Sequence, residues 1–267
     1  MKNLAKVKRL LANPAFPRAS KYDPAWILAN EMGPNALWLA EWLTEVMALR
    51  PGMRVLDMGC GRAMTSVFLA REFGVTVWAN DLWITATQNF QTLREARVED
   101  RVFPIRAEAH ALPYAEGFFD AIVSVDSYHY YGTSDTYLGY FSKFLRPRGQ
   151  IGIVVPGLVR EIKGGTPQHL ARPYGKSPPF WDPKECGSFH TAAWWKRHWG
   201  TGLVAIESCS LLKDGWKHWV QWEDAREAGG GGHSGFPSEA PALRADRGRT
   251  MGFVRMVARK PAAIASS

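Results

Sequence analysis

The residues of this chain best suited to holding a small ligand run Val55-Leu56-Asp57-Met58-Gly59-Cys60-Gly61-Arg62. A short apolar run ends in two glycines one residue apart, and sequence of helical character follows from Ala63. Glycines in such a turn reach backbone angles, and permit a close approach, that a Cβ would block. The amino end of the next helix offers free N–H groups and a partial positive charge, suited to a carboxylate or a phosphate. Asp81 follows Asp57 by 24 positions, at the end of a second apolar run. An acid at that place commonly hydrogen-bonds a ribose diol. The dinucleotide fingerprint G-x-G-x-x-G is incomplete, because Met64 stands where its third glycine belongs. Asp57 before the turn would also repel a pyrophosphate, which argues against a nicotinamide-dependent oxidoreductase.

A second group lies at Ser127-Tyr128-His129-Tyr130-Tyr131, after another apolar run. His129 is the candidate base, since imidazole titrates near neutrality, and Tyr128 stands beside it as a second catalytic candidate. Tyrosine faces here, Tyr130 among them, could attract a sulfonium or a substrate cation. His190 and His198 are weaker candidates. No H-E-x-x-H or C-x-x-C occurs, and Cys60, Cys186 and Cys209 are scattered, so neither a metal site nor a disulfide framework is expected.

Buried runs at 54–58, 75–80, 102–106, 119–125 and 150–155 read as strands, and helical stretches at 63–73, 84–97 and 136–145 fall between them. Alternation over about 100 residues implies a parallel sheet with right-handed crossovers. Strands at 203–211 and 252–259, with a helix at 216–227, complete a seven-stranded, mostly parallel α/β sheet of Rossmann-like type with helices on both faces. Residues 1–50 read as an N-terminal helical cap, with two helices split at Gly33-Pro34-Asn35 and with Pro14 and Pro17 breaking any helix in the first 20 residues. Residues 51–267 form the main domain. Within it, 157–200 reads as an aromatic insertion serving as substrate lid, and the Gly-, Ala- and Pro-rich stretch 228–249 as a flexible loop.

Taken in order, these motifs resemble the class I methyltransferases, whose first motif has the form E/D-x-G-x-G. The resemblance covers about residues 50–156 and implies S-adenosylmethionine as cofactor, a ligand that carries an ammonium group and no phosphate. It places Gly59 and Gly61 under the cofactor, Asp57 near its methionine end, Asp81 on the ribose hydroxyls and Leu82 against the adenine. Glu108-Ala109, then Leu112-Pro113-Tyr114 and Phe119-Asp120-Ala121-Ile122, resemble the stretch that reads the adenine amino edge, with Glu where the family has Asp. Asp126 falls where relatives hold the methionine group and open onto substrate. Tyr22-Asp23-Pro24-Ala25-Trp26-Ile27 and Met32-Gly33-Pro34-Asn35 resemble a bacterial subgroup of small-molecule and cyclopropane-synthase-like enzymes, which makes Tyr22 the candidate for closing over the cofactor.

Twelve tryptophans are present, and seven of them fall between Trp181 and Trp222. Phe180, Trp181 and Trp194 are accordingly expected to wall an organic substrate. The net charge of +8 is spread along the chain with no basic run interleaved with aromatics, so no nucleic-acid partner is expected. No run of 18 apolar residues occurs, so no integral membrane association is expected, and the default location is the cytoplasm. The function expected is methyl transfer to a small organic molecule. Lipid modification of the cyclopropane-synthase type and a non-catalytic cofactor-binding protein are the alternatives.

Overall fold

The computed structural model describes residues 3–175, 177–231 and 237–262. The apolar runs become strands β1 (Arg54–Met58), β2 (Thr76–Asp81), β3 (Val102–Arg106), β4 (Phe119–Val125), β5 (Leu145–Leu158), β6 (Ala205–Leu211) and β7 (Met251–Arg259). They form one sheet in the order β3-β2-β1-β4-β5-β7-β6. β1 to β5 pair in parallel, and β7 runs antiparallel to both β5 and β6. This is the Rossmann-like sheet expected. β5 is longer than expected: it begins at Leu145 and carries an irregularity opposite the Phe119–Ala121 stretch before regular pairing resumes at Gln150.

Side chains alternate across the sheet, so each strand feeds two cores. Val55, Val77, Val123 and Val154 face one apolar cluster, while Leu56, Ile122, Ile151 and Ile153 face the other. The first cluster is covered by α1 (Leu4–Leu11), α2 (Pro24–Ala29), α3 (Ala36–Thr44), α4 (Met64–Phe73) and α5 (Ala86–Glu95). α6 (Tyr137–Phe141) lies on the second. Helix starts follow their sequence signals: Asn35 caps α3 by accepting from the Leu37 and Trp38 amides, and Thr85 with Gln88 forms a capping box on α5.

The stretch after β5 holds α7 (Gln168–Ala171), α8 (Pro183–Cys186) and α9 (Ala192–Trp199), and α10 (Gly215–Gly229) follows β6. Two expectations are corrected here. A helix does form in the first 20 residues, because Pro14 and Pro17 lie beyond the end of α1, whose Val7 and Leu11 are buried in the core that α10 shares. The stretch 228–249 is not one loop: α10 continues to Gly229, and α11 (Ala240–Asp246) packs Leu243 into the core. Asp246 is fully buried and accepts the Thr250 and Met251 amides, tying that helix to β7. Residues 232–236 of the expected loop lie outside the described residues.

One buried carboxylate helps to fasten the N-terminal segment. Glu41 in α3 is buried and accepts the Arg18 amide at 2.9 Å and the Ala19 amide at 2.7 Å. Truncating it strands both donors. Glu41→Ala should lower stability by about 1–3 kcal/mol in urea denaturation. A change below about 0.5 kcal/mol would show that water replaces the carboxylate.

Candidate active site

In an open parallel sheet the crevice lies where strand order reverses, beyond the carboxyl ends of the strands. Here that point is between β1 and β4. The turn after β1 and the segment after β4 meet there above a cavity of about 480 Å³. Gly59 has φ +73°, and a Cβ on it would stand 1.8 Å from the Ser127 hydroxyl. The turn is held from below by the Asn80 carbonyl, which accepts the Gly59 and Cys60 amides at 2.8 and 3.0 Å. Asn89 donates to the Gly61 carbonyl at 2.9 Å, and Tyr131 donates to the Met58 carbonyl while contacting Ser124 and Ser127.

Gly59, Gly61, Asp81, Leu82, Glu108 and Ala109 all line this cavity. Asp81 is fixed by three backbone donors: Gly61 at 2.8 Å, Trp83 at 2.8 Å and Ile84 at 2.9 Å. Leu82 stays about half exposed at the rim. The Glu108 carboxylate is engaged by His110, through both its amide and its ring at 2.7 and 2.8 Å, which holds its pKa below the usual carboxylate range. Asp57 does not reach the cavity. It is fully buried behind the turn, where Ser66 donates to it at 2.6 Å and its second oxygen has no hydrogen-bond partner. Burial pushes its pKa up to about 7, with the Asp81 charge adding to the rise.

Beyond the turn the cavity continues past Asp126, His129 and Tyr130 to Phe180. Asp126 ends β4 in the left-handed region, φ +55°, and its carboxylate lies 2.5 Å from where Gly33 would carry a Cβ. The 32–35 loop can close on this carboxylate only because residue 33 has no side chain. That loop is held from the other side by Trp222 of α10, whose indole N–H donates to the Gly33 carbonyl at 2.7 Å. Burial lowers the His129 pKa to about 3, so the imidazole is neutral at physiological pH, contrary to the near-neutral titration that made it a candidate base.

Several expected residues are elsewhere. Tyr128 is fully buried in the second core, ringed by Tyr131, Tyr137, Phe141, Trp195 and Trp199. Its neighbour His129 is turned to the cavity by the single 3₁₀ turn at 128–130. Tyr22 is buried on α4, donating to Glu72 at 3.2 Å and packing on Phe68. Trp194 is stacked between His190 and His198 with centroids 3.6 and 4.5 Å away, and Trp181 packs against the first core. Neither tryptophan lines the cavity. Sequence reading missed Glu185 of α8, Trp219 of α10 and Glu239 just before α11, which do. The long tryptophan-rich helix pointed to Trp219; Glu239 was hidden in the stretch read as a loop.

Residues 55–149 match the family model described as a methyltransferase domain. The methyltransferase GfsG of Streptomyces halstedii is 32% identical over 155 residues, 55% of this chain and 52% of that protein. The chain thus spans about half the length of this curated relative. Geranyl diphosphate C-methyltransferase from Streptomyces coelicolor, solved with S-adenosyl-L-homocysteine, superposes with a TM-score of 0.61 at 18% identity, over 83% of this chain and 74% of its own. The cyclase SpnF superposes at 0.65 with 19% identity, over 88% and 84%. Residues 55–149 are thus similar to a methyltransferase domain, within a fold that these solved structures share. A cyclase on the same scaffold shows that fold alone leaves the reaction open.

Asp57 makes the protein's stability depend on pH in a defined direction. Its native pKa lies above its unfolded value of 3.8, so between about pH 4 and pH 7 the folded state keeps a proton that the unfolded state has lost. Stability from this group therefore falls as pH rises through that window. His129, whose pKa is depressed, acts with the opposite sign below its usual range. Asp57→Asn retains an acceptor for Ser66 and cannot titrate. In urea denaturation at pH values across the window, it should lose less stability with rising pH than the wild type. Equal slopes would mean that Asp57 is ionised in the native state.

Proposed function

We propose that this protein transfers the methyl group of S-adenosylmethionine to a small organic molecule, in the cytoplasm. The observation that carries the reading is the cradle at Gly59. The turn is pressed so closely on Ser127 that it has no room for a side chain, and it opens, with Asp81 beside it, into a chamber. Asp81, fixed by three amides, is suited to the ribose diol. Leu82 and Ala109 offer apolar surface to an adenine, and Glu108, already bound by His110, is available to it only through its remaining lone pairs. The missing third glycine opposes a pyrophosphate at the same turn.

When bound, S-adenosylmethionine supplies an electrophilic methyl group on a good leaving group. The protein's own task is then to hold a nucleophile in line at about 3–3.5 Å and to keep water out. The 32–35 loop and the segment carrying Phe180 and Phe189 cover the chamber. His129, held neutral, can accept a hydrogen bond and so orient an N–H or O–H nucleophile; its depressed pKa makes it a weak base. The carboxylates lining the chamber disfavour a phosphate-rich substrate, which supports a small molecule over a nucleic acid. Three free cysteines, two of them buried, fit a reducing compartment. Among the described residues no helix is long and apolar enough to cross a membrane.

Calorimetry should show S-adenosylhomocysteine binding at micromolar affinity or better. Asp81→Asn should weaken it by about tenfold to a hundredfold, or about 1–3 kcal/mol, with the far-ultraviolet dichroism unchanged. Undetectable binding to the wild type would overturn the reading, as would tighter binding of NADH.

A further inference from the structure

One part of the chamber gathers acidic side chains in a protein that is basic as a whole. The chain carries +8, yet three separate segments bring carboxylates to this one place: Asp126 at the end of β4, Glu185 on α8 and Glu239 ahead of α11. Burial raises the Asp126 and Glu239 carboxyls, the latter to about 8, and Asp126 feels both Glu239 and Glu185. The nearby cation, Arg226, is engaged by Glu223 at 2.9 Å and by Glu31 at 3.5 Å.

Two independent features indicate what this acidic part is built to meet. His129 lines the same cavity, is 1% exposed, and its Nδ1 has no hydrogen-bond partner. A neutral imidazole so placed can offer a lone pair to an N–H donor. The second feature is aromatic. Trp219 presents its ring to the cavity, braced edge-to-face by Phe180 at 5.8 Å and stacked on Phe253 at 4.6 Å. Its indole N–H donates to Glu239 at 2.8 Å, which fixes the carboxylate beside the ring. A carboxylate held at the edge of an aromatic ring that lines the same cavity lets a cation meet both a negative charge and the ring quadrupole.

We infer that this acidic part of the chamber binds a positively charged nitrogen of the substrate, a protonated amine or quaternary ammonium, between the carboxylates of Asp126, Glu185 and Glu239 and the ring of Trp219. The inference rests on the cofactor site proposed above for where the methyl donor sits, and it names the substrate class. A bound cation favours the ionised forms of Asp126 and Glu239 that burial otherwise disfavours. An anionic group in its place would disfavour them further.

The test uses the full-length protein saturated with S-adenosylhomocysteine. Tetramethylammonium, benzyltrimethylammonium, the uncharged isostere neopentylbenzene and inorganic diphosphate are titrated in turn, with tryptophan fluorescence as readout. At least one of the two cations should bind about tenfold more tightly than the isostere, and diphosphate should not compete. Glu239→Gln, which retains an acceptor for the Trp219 indole, and Glu185→Gln, at an exposed position, should each weaken cation binding by about threefold to tenfold. Affinity for neopentylbenzene and for S-adenosylhomocysteine should stay within about twofold. Cations binding no better than the isostere, displacement by diphosphate, or unchanged cation affinity in both variants would overturn the inference. Failure of S-adenosylhomocysteine to bind would count against the cofactor reading instead. The cation series is then run on the free protein, whose chamber is already formed, with the same criteria.

Discussion

The constraint on which the rest depends is the contact between two loops at the point where strand order reverses. The turn after β1 and the segment after β4 approach until residue 59 has no space for a Cβ beside Ser127. Everything around the contact serves to hold it. Asn80 takes the amides of the turn from the neighbouring strand, Asn89 takes its carbonyl from α5, and Tyr131 ties the end of β1 to β4. Asp81 and Leu82 at the end of β2, and Asp126 and His129 after β4, line the one cavity at this contact.

The tryptophans separate into two physical roles. Trp195 and Trp199 of α9 are fully buried and complete the second core around Tyr128, so they set the position of the segment after β4 from behind. Trp219 and Trp222 of α10 act from the front: one ring lines the chamber, and the other grips the Gly33 carbonyl and holds the 32–35 loop over it. The segment after β5 thus supplies both core and wall. Its wall residues are Phe180, Glu185 and Phe189, whereas Trp181 and Trp194 pack elsewhere.

Much of this was legible in the sequence, and the reason is local. β1, β3 and β4 coincide with their apolar runs residue for residue; for β1 and β4 the reason is that strands buried on both faces are continuous apolar segments ended by turn formers. The glycine turn, Asp81 and Glu108-Ala109 were legible because their spacing follows from strand and loop lengths. What was not legible depended on side-chain direction or on distant packing. Tyr128 and His129 are adjacent, and only the 3₁₀ turn decides that one faces the core and the other the cavity. Asp57 reads as a ligand-facing acid, yet strand alternation buries it against Ser66. Glu239 sits in a polar, Gly- and Pro-rich stretch with a weak helical signal, and only packing of Leu243 and the Trp219 indole places it at the chamber.

The central claim is that a single ligand spans the turn, with its nucleoside end at Asp81 and its reacting end toward Asp126 and His129. A crystal structure of the protein with S-adenosylhomocysteine tests it most directly. The account predicts the ribose on the Asp81 carboxylate, the adenine between Leu82 and Ala109, the amino-acid portion over Gly59, and the sulfur facing the chamber that ends at Trp219 and Glu239. A ligand found with its adenine in that acidic part of the chamber, or bound away from the glycine turn altogether, would contradict it.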